Sequence, residues 1–483
     1  MKTWHFPALA ALLFLALGCA VIPYLGAQAD ETLFAQPWYT GDTQQKLMLL
    51  PYLGTLKTWL YYPFRLWAKP SVWALRVPAL LTGCATLVIF FGLLRRFLGS
   101  VAPAAAGLAI LTTDPVFVLC HAFDWGPVSL HLLLWVGFLR AFEANRYALA
   151  GLCAGLGLWN KAVFIWNLGG FGVAILVLYW RPLWTFVRSR ALAVFLAFFV
   201  AGIAPLIWYN LITEAATKTA VRNFGWDAMN GKVSIVAHTL TGDGLFGYLT
   251  PRPAQAQSAN FLLIPAIALA ALVAWRGAYG RAVAAALLCA FVTWFQMAIG
   301  RETGGSVHHA ILLWPIPAFV IACGLARLPR PAIAAVTLAL CSLNLFVWSQ
   351  YFRQLRNEGA MSSAWTDAST PLVAKLQESK GSVVAADWGI LEPARYLTRS
   401  RIELHSIAFE LYLPSDDASR AVEQSLKDED SRFVLWAAGQ EQFKGNGAKL
   451  DAAAAKLGLH RVPLATIADR LGRPAFEVVR YMP

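Results

Sequence analysis

Seven side chains with chemical potential interrupt or border apolar sequence: Asp30 and Glu31, Asp124, Lys161, Arg301, and the adjacent pair His308 and His309. A carboxylate near a low-dielectric boundary acts as a general base or holds a divalent cation through its oxygens. Asp30, Glu31 and Asp124 are the three that fit either role, and Asp30-Glu31 also has a plainer reading as a solvated helix-end pair. An ammonium in apolar sequence is costly unless it snorkels to water or meets a negative partner. Lys161 therefore either snorkels or contacts a carboxylate or a ligand phosphate, and Arg301, His308 and His309 add positive or hydrogen-bonding groups. Two adjacent histidines at a helix start do not share a face, which argues against a metal held by that pair.

The elements that must position these residues are membrane helices. Of the 483 residues 58% are hydrophobic and only 14% charged, against roughly 25% charged in soluble proteins. Near-continuous apolar runs of membrane-spanning length recur, and we read eleven spans, at 6–26, 72–94, 101–120, 125–142, 147–160, 162–180, 191–211, 260–276, 281–299, 309–326 and 331–350. With a cytoplasmic N-terminus the inner loops carry Lys2, Arg95, Arg96, Arg140, Arg146, Arg181, Arg188, Arg190, Arg276, Arg281, Arg327 and Arg330 against one acid, Glu143. Lys and Arg resist translocation, so this pattern sets the orientation. All seven candidate residues then fall on the outer face.

Two outer loops are too long to be connectors. The first, 27–71, mixes Trp38, Tyr39, Tyr52, Trp59, Tyr61, Tyr62 and Trp67 with Lys46, Lys57, Arg65 and Lys69, which suits helices lying in the headgroup layer. The second, 213–259, holds Asn223, Trp226 and Asp227 and the turn Gly242-Asp243-Gly244, a polar composition that orders over a ligand. Beyond Tyr351 the composition changes, and residues 351–483 read as a small extracytoplasmic α/β domain attached to a transmembrane domain of residues 1–350. A helix begins at Thr370-Pro371, strands lie at 382–386, 432–437 and 475–479, and helices near 416–428 and 449–457. Asp387-Trp388 reads as a turn. The first span is an uncleaved helix in this reading, with Ala27-Gln28-Ala29 as the cleavage site of the alternative, a signal peptide.

The seven cysteines all lie in or beside apolar runs, which implies neither a disulfide framework nor a Cys metal site. The net charge of +13 is spread between spans as membrane orientation demands, so nucleic acid is not an expected partner. Acids and cations gathered at one membrane face suit transfer of a sugar from a lipid phosphate. Cations stabilise the departing phosphate while a carboxylate takes the acceptor's proton. A polytopic transporter or lipid flippase is the alternative, and a non-catalytic scaffold a third. A transporter calls for ionisable or broken segments near mid-membrane.

The pattern resembles the GT-C superfamily of polyprenyl-phosphate-sugar-dependent glycosyltransferases, the group of protein O-mannosyltransferase and lipid A aminoarabinose transferase. The resembling features are Asp30-Glu31 after the first span, Leu75-Arg-Val-Pro78, Asp124-Trp-Gly-Pro127, Lys161 closing Leu156-Gly-Leu-Trp-Asn-Lys161, and His308-His309 leading into Trp314-Pro-Ile-Pro317. The similarity covers about residues 1–350. It implies an inverting enzyme of the inner (cytoplasmic) membrane with its C-terminal domain in the periplasm. It also implies Asp30 as base with Glu31 assisting, and Asp124 shaping the acceptor site or holding a divalent cation if one is used. Lys161, Arg301, His308 and His309 would face the donor phosphate, and the acceptor would be a lipid, glycan or protein. Two residues depart from the family: His309 stands where Tyr is usual, and Phe123 where a basic residue often precedes the acid.

Overall fold

A computed structural model describes residues 4–38, 46–67, 69–124, 126–220, 224–255, 259–301, 304–360, 363–378 and 381–483. Lys2, Tyr39, Lys69's neighbour at 68, Trp125 and Asn223 lie outside the described residues, as do the side chains of Trp38, Arg65 and Trp67.

Each of the eleven apolar stretches is helical. Among the described residues five helices are long and apolar enough to cross a membrane, or eight when each of three bent pairs is counted as one span. The shortfall from eleven has a physical source: Val128–Glu143, Tyr147–Asn160 and Leu263–Trp275 have only 16, 14 and 13 residues. The bends are built into the sequence. Val101–Thr113 gives way to Pro115–Ala122 at 55°, where Asp114 accepts from the Phe117 amide at 2.8 Å and Pro115 occupies the first helical position. The other Asp114 oxygen accepts from Trp314 Nε1 at 2.9 Å, beside the 40° bend before Ile316–Leu325. One buried carboxylate thus ties two broken helices together at their breaks.

Small residues let helices touch through their backbones. A Cβ on Gly151 would meet Phe195 O at 2.1 Å and one on Gly155 would meet Phe199 O at 2.2 Å. This Gly-x-x-x-Gly stripe seats Tyr147–Asn160 directly on Arg190–Ile212, the close approach that substitutes for a hydrophobic drive inside lipid.

The two long loops are ordered against the bundle. In the first, the hairpin Met48–Leu50 with Leu53–Gly54 reaches the hinge after Asn160, where Leu53 bridges Lys161 and the Ala162 amide donates to Tyr52 O at 3.0 Å. The amphipathic helix Leu56–Trp67 follows, exposing Trp59, Leu60 and Phe64 as an interfacial helix does, but burying Lys57. The second loop is anchored by Tyr351, which donates to Gly242 O, accepts from the Leu245 amide, both at 3.0 Å, and stacks on Phe246.

The last long helix, Arg330–Glu358, carries the chain out of the bundle toward a five-stranded sheet. Its strands run in the order Leu404–Ser406, Val383–Ala385, Arg432–Trp436, Pro474–Met482, His460–Ala468; the first three are parallel, the last two antiparallel additions. The strands at 382–386, 432–437 and 475–479 and all three helices are where the residue pattern puts them. Leu404–Ser406 is too short for a pattern, and His460–Ala468 is an edge strand with exposed apolar residues and an internal Pro463, so both escape it. Asp387 sits in a turn and accepts from the amides of Trp388 and Phe443; burial pushes its carboxyl up to about 6.

The sheet domain grips the end of the first helix. The Gly26 amide donates to Trp365 O at 2.9 Å, and Tyr396 Oη donates to Ser71 O at 3.1 Å. Arg470 pairs with Asp367 at 3.2 Å and lies over the Tyr24 ring. A Cβ at Gly26 would stand 1.8 Å from Thr366 O, a backbone atom that cannot swing away. Gly26→Ala should therefore cost about 1–3 kcal/mol, as overpacking does, seen as a lower unfolding temperature and faster proteolysis near residues 359–366. An unchanged melting curve would show that this seam is not rigid.

Candidate active site

The site is built around a buried guanidinium. Arg76, on Val72–Leu98, spends all five N–H donors: Nε on Glu31 Oε2 at 3.0 Å, Nη2 on Glu31 Oε1 at 2.7 Å and Gly26 O at 2.6 Å, and Nη1 on Ile22 O at 3.0 Å and Leu25 O at 2.9 Å. Those carbonyls belong to the unwinding end of the first helix, whose orphan acceptors need donors. Glu31 Oε1 also accepts from the Gln28 amide at 2.9 Å while Gln28 Oε1 accepts from the Asp30 amide at 2.6 Å, closing a capping box on the short helix Ala29–Thr32. Glu31 is thereby fully engaged and inaccessible. Asp30 projects from the same turn, half-buried, and enters no ion pair among the described residues.

A second buried pair lies alongside. Lys57 Nζ stands 2.7 Å from Asp124 Oδ2, donates to Gly126 O at 2.7 Å, and sits 4.2 Å from the Phe34 ring centroid. Asp124 occupies a left-handed conformation, φ +44°, in the turn between Pro115–Ala122 and Val128–Glu143. Burial pushes its carboxyl up to about 7 against the pull of Lys57, and burial likewise lowers the Lys57 ammonium.

Lys161 differs from both. It caps Tyr147–Asn160 in extended conformation, is 7% exposed, and has no ion-pair partner among the described residues. Burial brings its ammonium down to about 8, with Asp30 acting in the opposite sense. Asp30 is raised by burial and drawn back by its Gln28 hydrogen bond and by Lys161 and Lys57. The charge of Lys161 is also felt at His308 and His309. Both half-buried rings hydrogen-bond Ser306 Oγ, at 2.9 Å and 3.2 Å, and the Gly304 amide donates to His309 Nδ1.

Five of the seven candidate residues, Asp30, Asp124, Lys161, His308 and His309, thus share one neighbourhood, with Glu31 behind them. Arg301 does not join it through any contact; its guanidinium pairs at 3.2 Å with Asp227 on the surface. Residue pattern alone misses five further neighbours. Lys57 and Arg76 look like interfacial and helix-start cations, and their buried partners are 67 and 45 positions away. Lys232, also buried, caps Gly280–Ile299 through Ala298 O and Gly300 O. Tyr248, and Glu392 from the sheet domain, both sense the Asp30 charge, and burial raises each. Only Leu75-Arg-Val-Pro78 carried a signal, an arginine in an apolar helix that demands a partner.

The three acids do not fit a divalent cation. Glu31 is taken by Arg76 and Asp124 by Lys57, and no cluster of three or more His, Cys, Asp or Glu side chains suits a metal among the described residues. No step is routed through one.

No protein-family model matches this chain, and no curated protein matches it. Solved structures do. The apo crystal structure of ArnT from Cupriavidus metallidurans superposes with a TM-score of 0.66 at 13% identity, covering 98% of this chain and 97% of that one. The structure of the same protein bound to undecaprenyl phosphate gives 0.63, at the same identity and coverage. The chain is therefore a polytopic integral-membrane protein. The particular fold, helical bundle and appended sheet together, is that of ArnT.

Removing one member of a buried, hydrogen-bonded ion pair strands the other at a cost of about 3–5 kcal/mol. Arg76→Met and Glu31→Gln should each lower the unfolding temperature of detergent-purified protein by that measure, and combining them should restore part of the loss. Additive losses in the double variant would separate the two side chains energetically.

Proposed function

We propose that this protein is an integral-membrane, inverting glycosyltransferase that moves a sugar from a polyprenyl-phosphate carrier to a hydroxyl of a lipid, glycan or protein. The observation that carries the reading is the contrast among buried charges. Arg76, Lys57 and Lys232 are neutralised or capped, whereas Asp30 and Lys161 each sense the other's charge but enter no ion pair among the described residues. Buried charge is retained in that condition where a ligand completes it. The GT-C fold, shared with a protein crystallised with undecaprenyl phosphate, supports a lipid phosphate as that ligand.

The chemistry follows from the two groups. The acceptor O–H gives its proton to the Asp30 carboxylate as the oxygen bonds to the anomeric carbon. The carbon–oxygen bond to phosphate breaks on the opposite side, and the bond pair leaves with the phosphate. Lys161, a compact cation with three donors, stabilises the charge that develops there, and His308 and His309 donate from the flank. One displacement suffices, and configuration inverts. Asp124 holds Lys57 rather than substrate, and Arg301 is paired with Asp227 on the surface.

The site face is extracytoplasmic in this proposal, with residues 351–483 forming the periplasmic domain of a protein whose residues 1–350 lie in the inner membrane. The arginines Arg95, Arg96, Arg140, Arg146, Arg188, Arg190, Arg276, Arg327 and Arg330 stand at the opposite ends of the helices, as retention of positive charge requires.

Asp30→Asn should reduce transfer by about 10²- to 10⁴-fold, the usual worth of a general base, with donor-lipid binding preserved. Full turnover in that variant removes Asp30 from the mechanism. Glycosyl transfer by the purified protein with a synthetic donor also separates this reading from a transporter or flippase. For pH, the free enzyme needs Asp30 ionised and Lys161 protonated. The kcat/KM for donor should therefore fall as pH rises through about 8, and Lys161→Arg should move that limb upward while Lys161→Ala raises donor KM. A flat profile from pH 7 to 9.5 in the native enzyme would remove Lys161 from the phosphate site.

A further inference from the structure

At the end of the bundle away from Asp30 the helices form a half-open cavity of about 330 Å³. It is walled by Phe90, Trp135, Phe171, Phe319 and Ala286, with Glu143 and Tyr179 at its margin. Arg76 and Phe90 lie on one helix fourteen residues apart, about 21 Å at the helical rise. The cavity's near wall is closer, with Phe171 ten residues from Lys161, about 15 Å at the same rise, and the cavity extends from there to the helix end at Glu143.

Its margin is cationic. Glu143 accepts from Arg96 Nε at 2.7 Å and from Arg140 Nη1 at 3.1 Å. Arg281, next to the lining residue Ala282, lies 4.5 Å over the Tyr179 ring and donates to Leu178 O. Three guanidinium groups against one carboxylate leave an excess of two positive charges. An aromatic, almost wholly apolar interior fits a hydrocarbon chain, and a rim of surplus arginine fits a phosphate beside it.

We propose that this cavity is a binding site for one phospholipid of the far leaflet, its acyl chain among the phenylalanines and its anionic headgroup on Arg281, Arg96 and Arg140. The sugar carrier is a poorer occupant. With its phosphate at Lys161 it has no charged group to place at this rim, a hydrocarbon thickness away. The exclusion of the carrier rests on the phosphate site proposed at Lys161, whereas phospholipid binding is read without turnover.

Delipidated full-length protein titrated with dioleoyl-phosphatidylglycerol or dioleoyl-phosphatidylcholine, and read by native mass spectrometry, tests the inference. One phosphatidylglycerol should bind in preference to phosphatidylcholine by about 25-fold, taking each net charge as about fivefold. Ala286→Trp should abolish this binding by filling the cavity. Arg281→Gln, on the exposed rim, should cut the preference about fivefold and remains readable if the tryptophan variant does not fold. Equal binding of the two lipids, a preference unchanged in Arg281→Gln, or displacement of the phosphatidylglycerol by a polyprenyl phosphate each overturns the assignment.

Discussion

The bidentate contact between Arg76 and Glu31 is the constraint from which the rest of the site follows. A guanidinium with no access to water is tolerable only if every donor is matched, and here the matching acceptors come to the second long helix from two places at once: the end of the first helix and the turn that follows it. Satisfying one side chain therefore sets the exit angle of the first helix. It also places Gly26 and Ala27 where the sheet domain can close over them, and leaves Asp30 facing the other way from Glu31. Adjacent residues in one helical turn point about 100° apart. That geometry explains how two neighbouring acids can have opposite fates, one locked and one presented.

The other buried polar groups serve the same end by different means. Asp114 fastens two helix breaks to each other, and the backbone bridge between Leu53 and Lys161 fastens the first loop to a third. Helix breaks free backbone groups that lipid cannot satisfy, so they persist only where protein supplies partners. The sheet domain joins the neighbourhood of Asp30 through Leu391–Thr398: Tyr396 holds Ser71 while Glu392, on the same helix, comes within reach of the Asp30 charge.

Much of this was legible from residue order. Apolar runs mark helix at each of the eleven stretches, although only five to eight spans among the described residues are long enough to cross a membrane, and Asp30, Lys161 and the two histidines stand out because each interrupts or borders such a run. What could not be read is pairing. Lys57 sits in an amphipathic helix among aromatics, the pattern of an interfacial cation, and nothing local announces Asp124 as its partner. Arg301 was the converse error of the same kind: its position beside the histidines suggests a shared ligand, while Asp227, from the preceding loop, takes it up instead. Charge pairs join residues by space, whereas periodicity reports only the face a residue presents.

The choice of cation at each place is itself informative. Arg76 must satisfy carbonyls and a carboxylate in one plane, which a rigid fork of five donors does and an ammonium with three rotating donors does not. Lys161 has the reverse task in the proposed reaction. A compact point charge, lowered by burial toward neutrality, can take up a phosphate whose oxygens shift as the glycosidic bond lengthens, without the fixed geometry a guanidinium would impose. An arginine there would remain charged at every working pH. Holding an acid and a base apart while both remain buried thus favours lysine at the hinge and arginine at the clasp, and the two sites owe their different chemistry to that difference.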